Sequence, residues 1–91
     1  MEIKYMSRQE VTEKLDMKTC ISLMEKVFMG FAKGEIKNIL RSAAHLPGGV
    51  LAVMPGVIPK DKTAGAKLIT VIYDNSKRNL PSHQGIVAVF N

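Results

Sequence analysis

The feature that most constrains this chain is a change in the spacing of its apolar residues at Gly34. Before that glycine, over residues 17–33, apolar side chains recur every three or four positions, which is the period of a helix that buries one face. These side chains are Met17, Ile21, Met24, Phe28 and Phe31. After Gly34 come short β-branched runs bounded by glycine, proline and asparagine, which are typical of strands. The pattern predicts helices followed by strands, in an α+β domain.

Capping residues define two helices at the start of the chain. Ser7 and Glu10 have the spacing of a capping box, in which each side chain bonds to the other's backbone N–H, and a short helix through Leu15 should follow. Asp16 is a good N-cap for the longer helix. Gly34 then stands where a glycine commonly ends a helix.

The rest of the chain predicts a sheet. The segments with strand character are 3–6, 36–46, 50–55, 66–73 and 85–90, separated by a turn at "PGG" and by loops over 56–65 and 74–82. The run "AKLITVIY" is mostly apolar, as expected of a strand covered on both faces. We therefore expect an N-terminal strand and two helices packed on a mainly antiparallel sheet, with the apolar helix stripe in the core.

Length and composition limit the class of protein. A chain of 91 residues forms one small domain, which gains from a partner surface such as that of a second copy. No apolar run approaches the roughly 18 residues of a membrane-spanning helix. The N-terminal residues are charged and lack the apolar region of a secretory signal, and Cys20 has no partner for a disulfide. These features predict a cytoplasmic protein that does not insert into a membrane.

The charge pattern does not favour nucleic acid or metal. The formal net charge is +5, but the basic residues are scattered and only Lys77 and Arg78 are adjacent, in a chain without tryptophan. His45 and His83 lie far apart with no clustered carboxylates, so no metal site is expected. Glycine-rich nucleotide-binding motifs, including G-x-G-x-x-G and the P-loop, are not present in these residues.

Three polar residues lie within or at the entrance of segments that otherwise predict strands: Arg41, Lys67 and Ser82. In one interpretation, strand alternation turns both cations to solvent, or each pairs with an acid such as Asp74 or Glu35. In the other, the arginine fork and the lysine converge on a small carboxylate, with the serine hydroxyl as a further donor. Arginine suits a carboxylate because its planar fork donates two parallel bonds, while lysine adds a compact charge.

The runs "LRSAAHLPGGVLAVMP" and "AGAKLITVIYDNSKRNLPSHQGIVAVF" resemble the N-terminal portion of the ornithine cyclodeaminase/mu-crystallin family. The leading segment "YMSRQEVTEKLDMKTCISLMEKVFMGFAKGEI" is similar to the opening of the same family, so the resemblance covers essentially residues 1–91. "VMP" together with "LPSHQ" is most similar to the mu-crystallin-like branch, which includes ketimine reductases. The resemblance implies a substrate-binding and dimerisation domain over 1–91, a fragment whose nucleotide-binding domain is absent.

The resemblance also implies roles for four residues. Arg41 and Lys67 match family positions that bind the substrate carboxylate, and Ser82 matches a hydroxyl position of the same pocket. Met54 would line the pocket near the nicotinamide. Lys67 is also the candidate catalytic residue, since it would help to polarise the carbon–nitrogen double bond or its precursor.

The family's activities set the expected function. Its members use NAD or NADP to interconvert amino acids, imines and keto acids, as oxidoreductases or as lyases, and they form homodimers. Ala52 stands where cyclodeaminases carry an acid and some alanine dehydrogenases an arginine, which favours an imine, ketimine or small apolar amino acid as substrate. The fragment alone should be inactive and bind no cofactor. The alternative is a non-enzymatic module that binds small carboxylates or a protein partner.

Overall fold

The computed structural model describes residues 1–91 as two helices followed by a five-stranded antiparallel sheet. The helices are α1 (Arg8–Lys14) and α2 (Met17–Ala32), and neither is long and apolar enough to cross a membrane. The strands are β1 (Lys37–Asn38), β2 (Ser42–Leu46), β3 (Gly49–Ile58), β4 (Thr63–Ile72) and β5 (His83–Phe90). The predicted α+β class with a mainly antiparallel sheet is confirmed.

The N-caps of both helices form as the sequence predicts, with one difference. The Ser7 hydroxyl accepts a hydrogen bond from the backbone N–H of Glu10 at 3.2 Å, and the Asp16 carboxylate accepts one from the backbone N–H of Thr19 at 2.7 Å. The Glu10 carboxylate does not bond back to Ser7. It lies 3.6 Å from the Lys14 ammonium, so only one half of the capping box forms.

Helix α2 ends in a Schellman motif at the predicted glycine. Gly34 has a φ of +76°, which an L side chain rarely adopts. Its N–H donates to the carbonyl of Phe31 at 3.1 Å, and the N–H of Glu35 donates to the carbonyl of Gly30 at 2.9 Å. These two bonds satisfy carbonyls that the end of a helix leaves free.

The sheet is built around the long β3–β4 hairpin. The two strands pair over ten residues each, from Gly49 opposite Ile72 to Ile58 opposite Thr63, and β5 pairs with the outer side of β4. The short strands β1 and β2 share the other side of β3. The predicted "PGG" turn is confirmed, since Pro47 and Gly48 connect β2 to β3 and Gly48 has a φ of +79°.

Three sequence predictions about strands were wrong. Residues 3–6 form no strand, because no other segment of the chain pairs with them. The single strand predicted over 36–46 is divided by an irregular segment, 39–41, into β1 and β2. The loop predicted over 56–65 shrinks to residues 59–62, because the β-branched Val57 and Ile58 continue the ladder with β4.

Alternation along the strands gives the sheet two faces of different character. The Lys67 face carries Ala52, Met54 and Gly56 of β3, Gly65, Lys67 and Ile69 of β4, and Gly85, Val87 and Val89 of β5. The Leu51 face carries Leu51 and Val53 of β3, Leu68 of β4, and Ile86 and Phe90 of β5. The two faces therefore differ in Lys67, the cation of the central strands, while both are otherwise largely apolar.

Very little of the chain is buried. Only Gly30, Gly49, Ala52 and Asn75 are buried, and the largest side chains of the α2 stripe are exposed, with Phe28 at 70%. The predictions that this stripe forms the core and that the helices pack on the sheet were wrong within this chain. The apolar pattern of α2 was identified correctly, but these 91 residues supply no surface that covers it.

Candidate functional site

Lys67 lies in the middle of the sheet and has no acidic partner. On β4 it stands opposite Met54 of β3 on one side and Val87 of β5 on the other. The side chain is exposed, and the ion pairs of the chain are those of Lys14 with Glu10 and Lys77 with Asp74. Pairing with Asp74 or Glu35 therefore does not explain this lysine, and its charge is available to a ligand.

Arg41 lies in the same part of the sheet. It ends the irregular segment 39–41, directly before Ser42, whose partner on β3 is Val53. The backbone of Arg41 is thus placed beside Met54, two strand spacings or about 10 Å from that of Lys67. Arg41 is exposed and forms no ion pair. The register thus places the backbones of two unpaired cationic residues on either side of Met54.

An open groove of about 320 Å³ adjoins Lys67. Its lining spans β1, β3, β4 and β5 and includes Asn38, Met54, Gly56, Gly65, Lys67 and Val87. Most of the lining is apolar, and no acid contributes to it. A mostly apolar hollow with a few polar groups at defined places is the usual form of a small-molecule site. Lys67 and Met54 thus lie at one end of a groove suited to an apolar body that carries a negative charge.

The structure does not bring Ser82 to the two cations. The Ser82 carbonyl accepts a hydrogen bond from the N–H of Ile72 at 2.8 Å, and its hydroxyl lies 3.0 Å from Nδ1 of His83. Val87, the partner of Lys67, is five residues further along the chain, or about 17 Å at the rise of an extended strand. The register therefore separates Ser82 from Lys67, and the role predicted for this hydroxyl has no support from their placement.

Asn75 is a residue that the sequence reasoning missed. Asn75 is buried, and its side-chain amide donates to the backbone carbonyl of Pro81 at 3.1 Å. The backbone carbonyl of Asn75 accepts from the N–H of Leu80 at 2.9 Å. These bonds close the loop that leads into β5 and fix where Ser82 lies. Asparagine in a cluster of turn-forming residues was the signal that could have identified it.

The histidines do not form a metal centre. His45 and His83 occupy the two ends of one row across the sheet, with Val50 and Val71 between them, so their backbones are about 14 Å apart. No group of three or more histidine, cysteine, aspartate or glutamate side chains is arranged to hold a metal ion.

These residues also do not fit a nicotinamide nucleotide. Dinucleotide sites of the Rossmann type need a parallel βαβ unit with a glycine-rich turn that opens a helix. Here every strand pair is antiparallel and both helices precede the sheet. What the chain does offer is an α+β domain whose sheet carries an open groove lined by the unpaired Lys67.

The sequence identifies the family of this domain. The chain belongs to the ornithine cyclodeaminase/mu-crystallin family, whose sequence profile matches residues 1–91. The resemblance inferred from the sequence is therefore confirmed over its full extent. No curated protein matches the sequence.

Two solved structures share the fold. An archaeal alanine dehydrogenase dimer with bound NAD superposes with a TM-score of 0.80 at 21% identity, over 90% of this chain and 25% of that chain. The Thermococcus litoralis Δ1-pyrroline-2-carboxylate reductase, in complex with NADH and L-proline, gives a TM-score of 0.83 at 22% identity, over 92% of this chain and 27% of that chain. The 91 residues thus span about a quarter of the length of these structures.

Proposed function

We propose that this chain is the substrate-binding and dimer-forming part of a cytoplasmic NAD(P)-dependent enzyme that acts on small amino acids, imines or keto acids. The observation that carries the proposal is an unpaired cation, Lys67, that lines the groove next to Met54, with a second unpaired cation, Arg41, across Met54 from it. Family membership and the two structural neighbours, which hold NAD or NADH, support the same class of enzyme.

In this proposal the two cations bind the same carboxylate, each with a different kind of contact. The guanidinium of Arg41 donates two parallel N–H bonds to the carboxylate oxygens, which fixes the plane of the group. The ammonium of Lys67 adds a compact charge on the side of the groove. Both side chains are exposed, so a ligand displaces water from them as it binds.

Lys67 has a second role, at the reacting double bond. A carboxylate held beside it places the adjacent carbon and its imine nitrogen or keto oxygen within reach of the ammonium. Positive charge at that point stabilises the electron density that gathers on nitrogen or oxygen as the carbon is reduced. A nicotinamide nucleotide, for which these residues offer no site, would supply the hydride.

The groove favours substrates without a second charge. Its lining has no acid to pair with a distal amine, and Ala52, the residue two positions before Met54 on the same face, supplies none either. We therefore expect a cyclic imine, a ketimine or an amino acid with a small apolar side chain. The complex of the Thermococcus litoralis reductase with L-proline agrees with this chemical class.

Assembly into a homodimer follows from the exposed apolar surface. Ile86 and Phe90 of the Leu51 face are 62% and 57% exposed. Contact of these apolar side chains with water is unfavourable, and burial against a second copy removes it. We assign the dimer contact to this face, because the Lys67 face must stay open to the substrate. The alanine dehydrogenase neighbour, which is a dimer, supports such an assembly.

The enzyme activity is tested on the full-length protein. Purified protein is mixed with NADH or NADPH and with pyrroline-2-carboxylate, piperideine-2-carboxylate or a 2-oxo acid plus ammonium, and cofactor oxidation is followed by absorbance. We expect turnover by the wild type, a loss of about a hundredfold or more in kcat for Lys67→Met, and little change for Lys60→Met. Lys60 is an exposed lysine in the turn before β4 and serves as the matched control.

A binding measurement distinguishes the proposed enzyme from a non-enzymatic module that only binds carboxylates. Calorimetry on the same samples measures carboxylate binding independently of turnover. A wild-type protein that binds these carboxylates but oxidises neither cofactor would overturn the enzyme and favour a non-enzymatic carboxylate-binding module.

A further inference from the structure

On the Lys67 face, two different rows of residues flank the row formed by Met54, Lys67 and Val87. In one direction along the strands the next row on that face is Ala52, Ile69 and Gly85. In the other direction it is Gly56, Gly65 and Val89. A substrate whose carboxylate is held at Lys67 must extend its body over one of these rows.

The groove described above extends in one of these two directions. In the first row Ala52 is buried, with 7% of its surface exposed, while Ile69 is half-buried and Gly85 is exposed. The groove of about 320 Å³ lies in the other direction, and its lining includes Gly56, Gly65 and Val89. The floor of the groove is therefore made by two facing glycines that have no side chains, and Met54 and Val87 supply apolar walls.

We infer that the side chain or ring of the substrate lies over Gly56 and Gly65, and that Gly56 limits how bulky it can be. This inference rests on the proposed function, because it places the carboxylate at Lys67. It makes Gly56, rather than Ala52, the specificity-determining residue for size. The chemical class it selects is an aliphatic 2-oxo acid or cyclic imine carboxylate with an uncharged body.

The two glycines differ in what a side chain would meet. A Cβ added at Gly56 has the Lys37 carbonyl oxygen as its nearest neighbour, at an ordinary 3.7 Å, and the backbone there does not need glycine. A Cβ at Gly65 would lie 2.7 Å from the carbonyl oxygen of Ala88 and would force the β5 backbone to move. Gly56 can thus be enlarged without disturbing the sheet, and Gly65 cannot.

The test compares Gly56→Ala and Gly56→Val with wild type in the full-length enzyme. Substrates are pyruvate, 2-oxobutyrate and 2-oxoisovalerate with ammonium, and the pyrroline and piperideine carboxylates. We expect Gly56→Val to lower kcat/KM by about tenfold or more for the bulkiest substrates and by less than about twofold for pyruvate, with Gly56→Ala in between. The control Ala52→Gly should leave the ratio of bulky to small substrates unchanged.

Binding measured by calorimetry with pyrrole-2-carboxylate and the larger indole-2-carboxylate provides a second readout. We expect Gly56→Val to weaken the larger ligand selectively. Equal effects on large and small compounds, or a size preference that follows Ala52→Gly instead, would overturn the inference while the activity of the wild type upholds the proposed function. A wild type that turns over none of the substrates would overturn both.

Discussion

Lys67 lies in an apolar strand without the desolvation cost that burial of its ammonium would carry. A lysine inside "AKLITVIY" would be costly if both faces of the strand were covered, because burial removes the hydration of the ammonium. In the structure its side chain is exposed, so its charge stays hydrated until a ligand arrives. In the proposed complex the cost of desolvation falls on the bound state, where the carboxylate would offset it with a charge-assisted bond.

Arg41→Ala should weaken substrate binding more than it slows the chemistry. Removing the guanidinium removes charge-assisted hydrogen bonds to the carboxylate, for which we expect a rise in KM of about tenfold to a hundredfold, or ~1.5–3 kcal/mol. Arg41→Lys should recover part of the loss, since it keeps the charge without the fork. Steady-state kinetics on the full-length protein measure these effects.

The control for Arg41 is Arg78→Ala, an exposed arginine at the end of the turn that follows Asn75. Its kinetics should match those of the wild type. An unchanged KM in Arg41→Ala would remove this residue from the carboxylate site, whatever the result for Lys67.

At the scale of the element, helix α2 depends on its capping residues because nothing in the chain covers its apolar face. Most of a helix's stability in a folded protein normally comes from packing, and α2 buries only Gly30. Its start is fixed by Asp16 and its end by Gly34. Substitutions of Asp16 or Gly34 should therefore destabilise the helix more than substitutions in its middle.

The helix should lose stability in acid through Asp16. The backbone N–H of Thr19, and then the side chain of Thr19, hold the pKa of the Asp16 carboxyl below its ordinary value by bonding to the ionised form. Since the pKa is lower in the folded state, Asp16 stabilises the helix above the ordinary aspartate pKa of about 3.9. That contribution is lost as the pH falls through the lower, folded-state pKa. Asp16→Asn should remove most of this dependence.

Thermal unfolding followed by circular dichroism, from neutral pH to below pH 4, measures the acid dependence. The matched control is Glu25→Gln, which removes one charge from the exposed middle of α2 without touching a cap. We expect Glu25→Gln to follow the wild-type profile. A profile for Asp16→Asn that coincides with that of the wild type would contradict the role of the carboxylate as a charged cap.

At the scale of the whole molecule, the two faces of the sheet are the basis for the proposed assembly. Apolar side chains of β5 are exposed on both faces, but only the Lys67 face carries a cation of the central strands, so the proposal leaves that face to the ligand and the Leu51 face to a protein contact. The exposed stripe of α2 adds further surface that these residues do not cover. The fold thus accounts for both halves of the proposed role, assembly and substrate binding.

We expect the full-length protein to sediment as a dimer or larger assembly at micromolar concentration. Ile86→Glu places a charge on the Leu51 face and should weaken the dimer by about tenfold or more, because a carboxylate buried in an apolar contact is left unpaired. The adjacent change Val87→Glu lies on the opposite face and should leave the assembly intact. A monomeric wild type, or equal disruption by both variants, would contradict this contact.

The sequence by itself determined the features that depend on residues close together in the chain. The caps at Ser7 and Asp16, the helix end at Gly34 and the turn at Gly48 all follow from side chains and backbone groups within a few positions of one another. The α+β class followed from the change of apolar period, and the family from the ordered runs around Arg41 and Lys67.

Only the tertiary structure decided what depends on residues distant in the chain. The pairing of Lys67 with Met54 and the separation of Ser82 from that pair are matters of strand register, which a local pattern does not specify. The break at 39–41 and the extension of β3 beyond Pro55 to Ile58 arose because pairing with neighbouring strands overrode local propensity. The apolar stripe of α2 was evident in the sequence, but its exposure depends on surfaces that these residues lack.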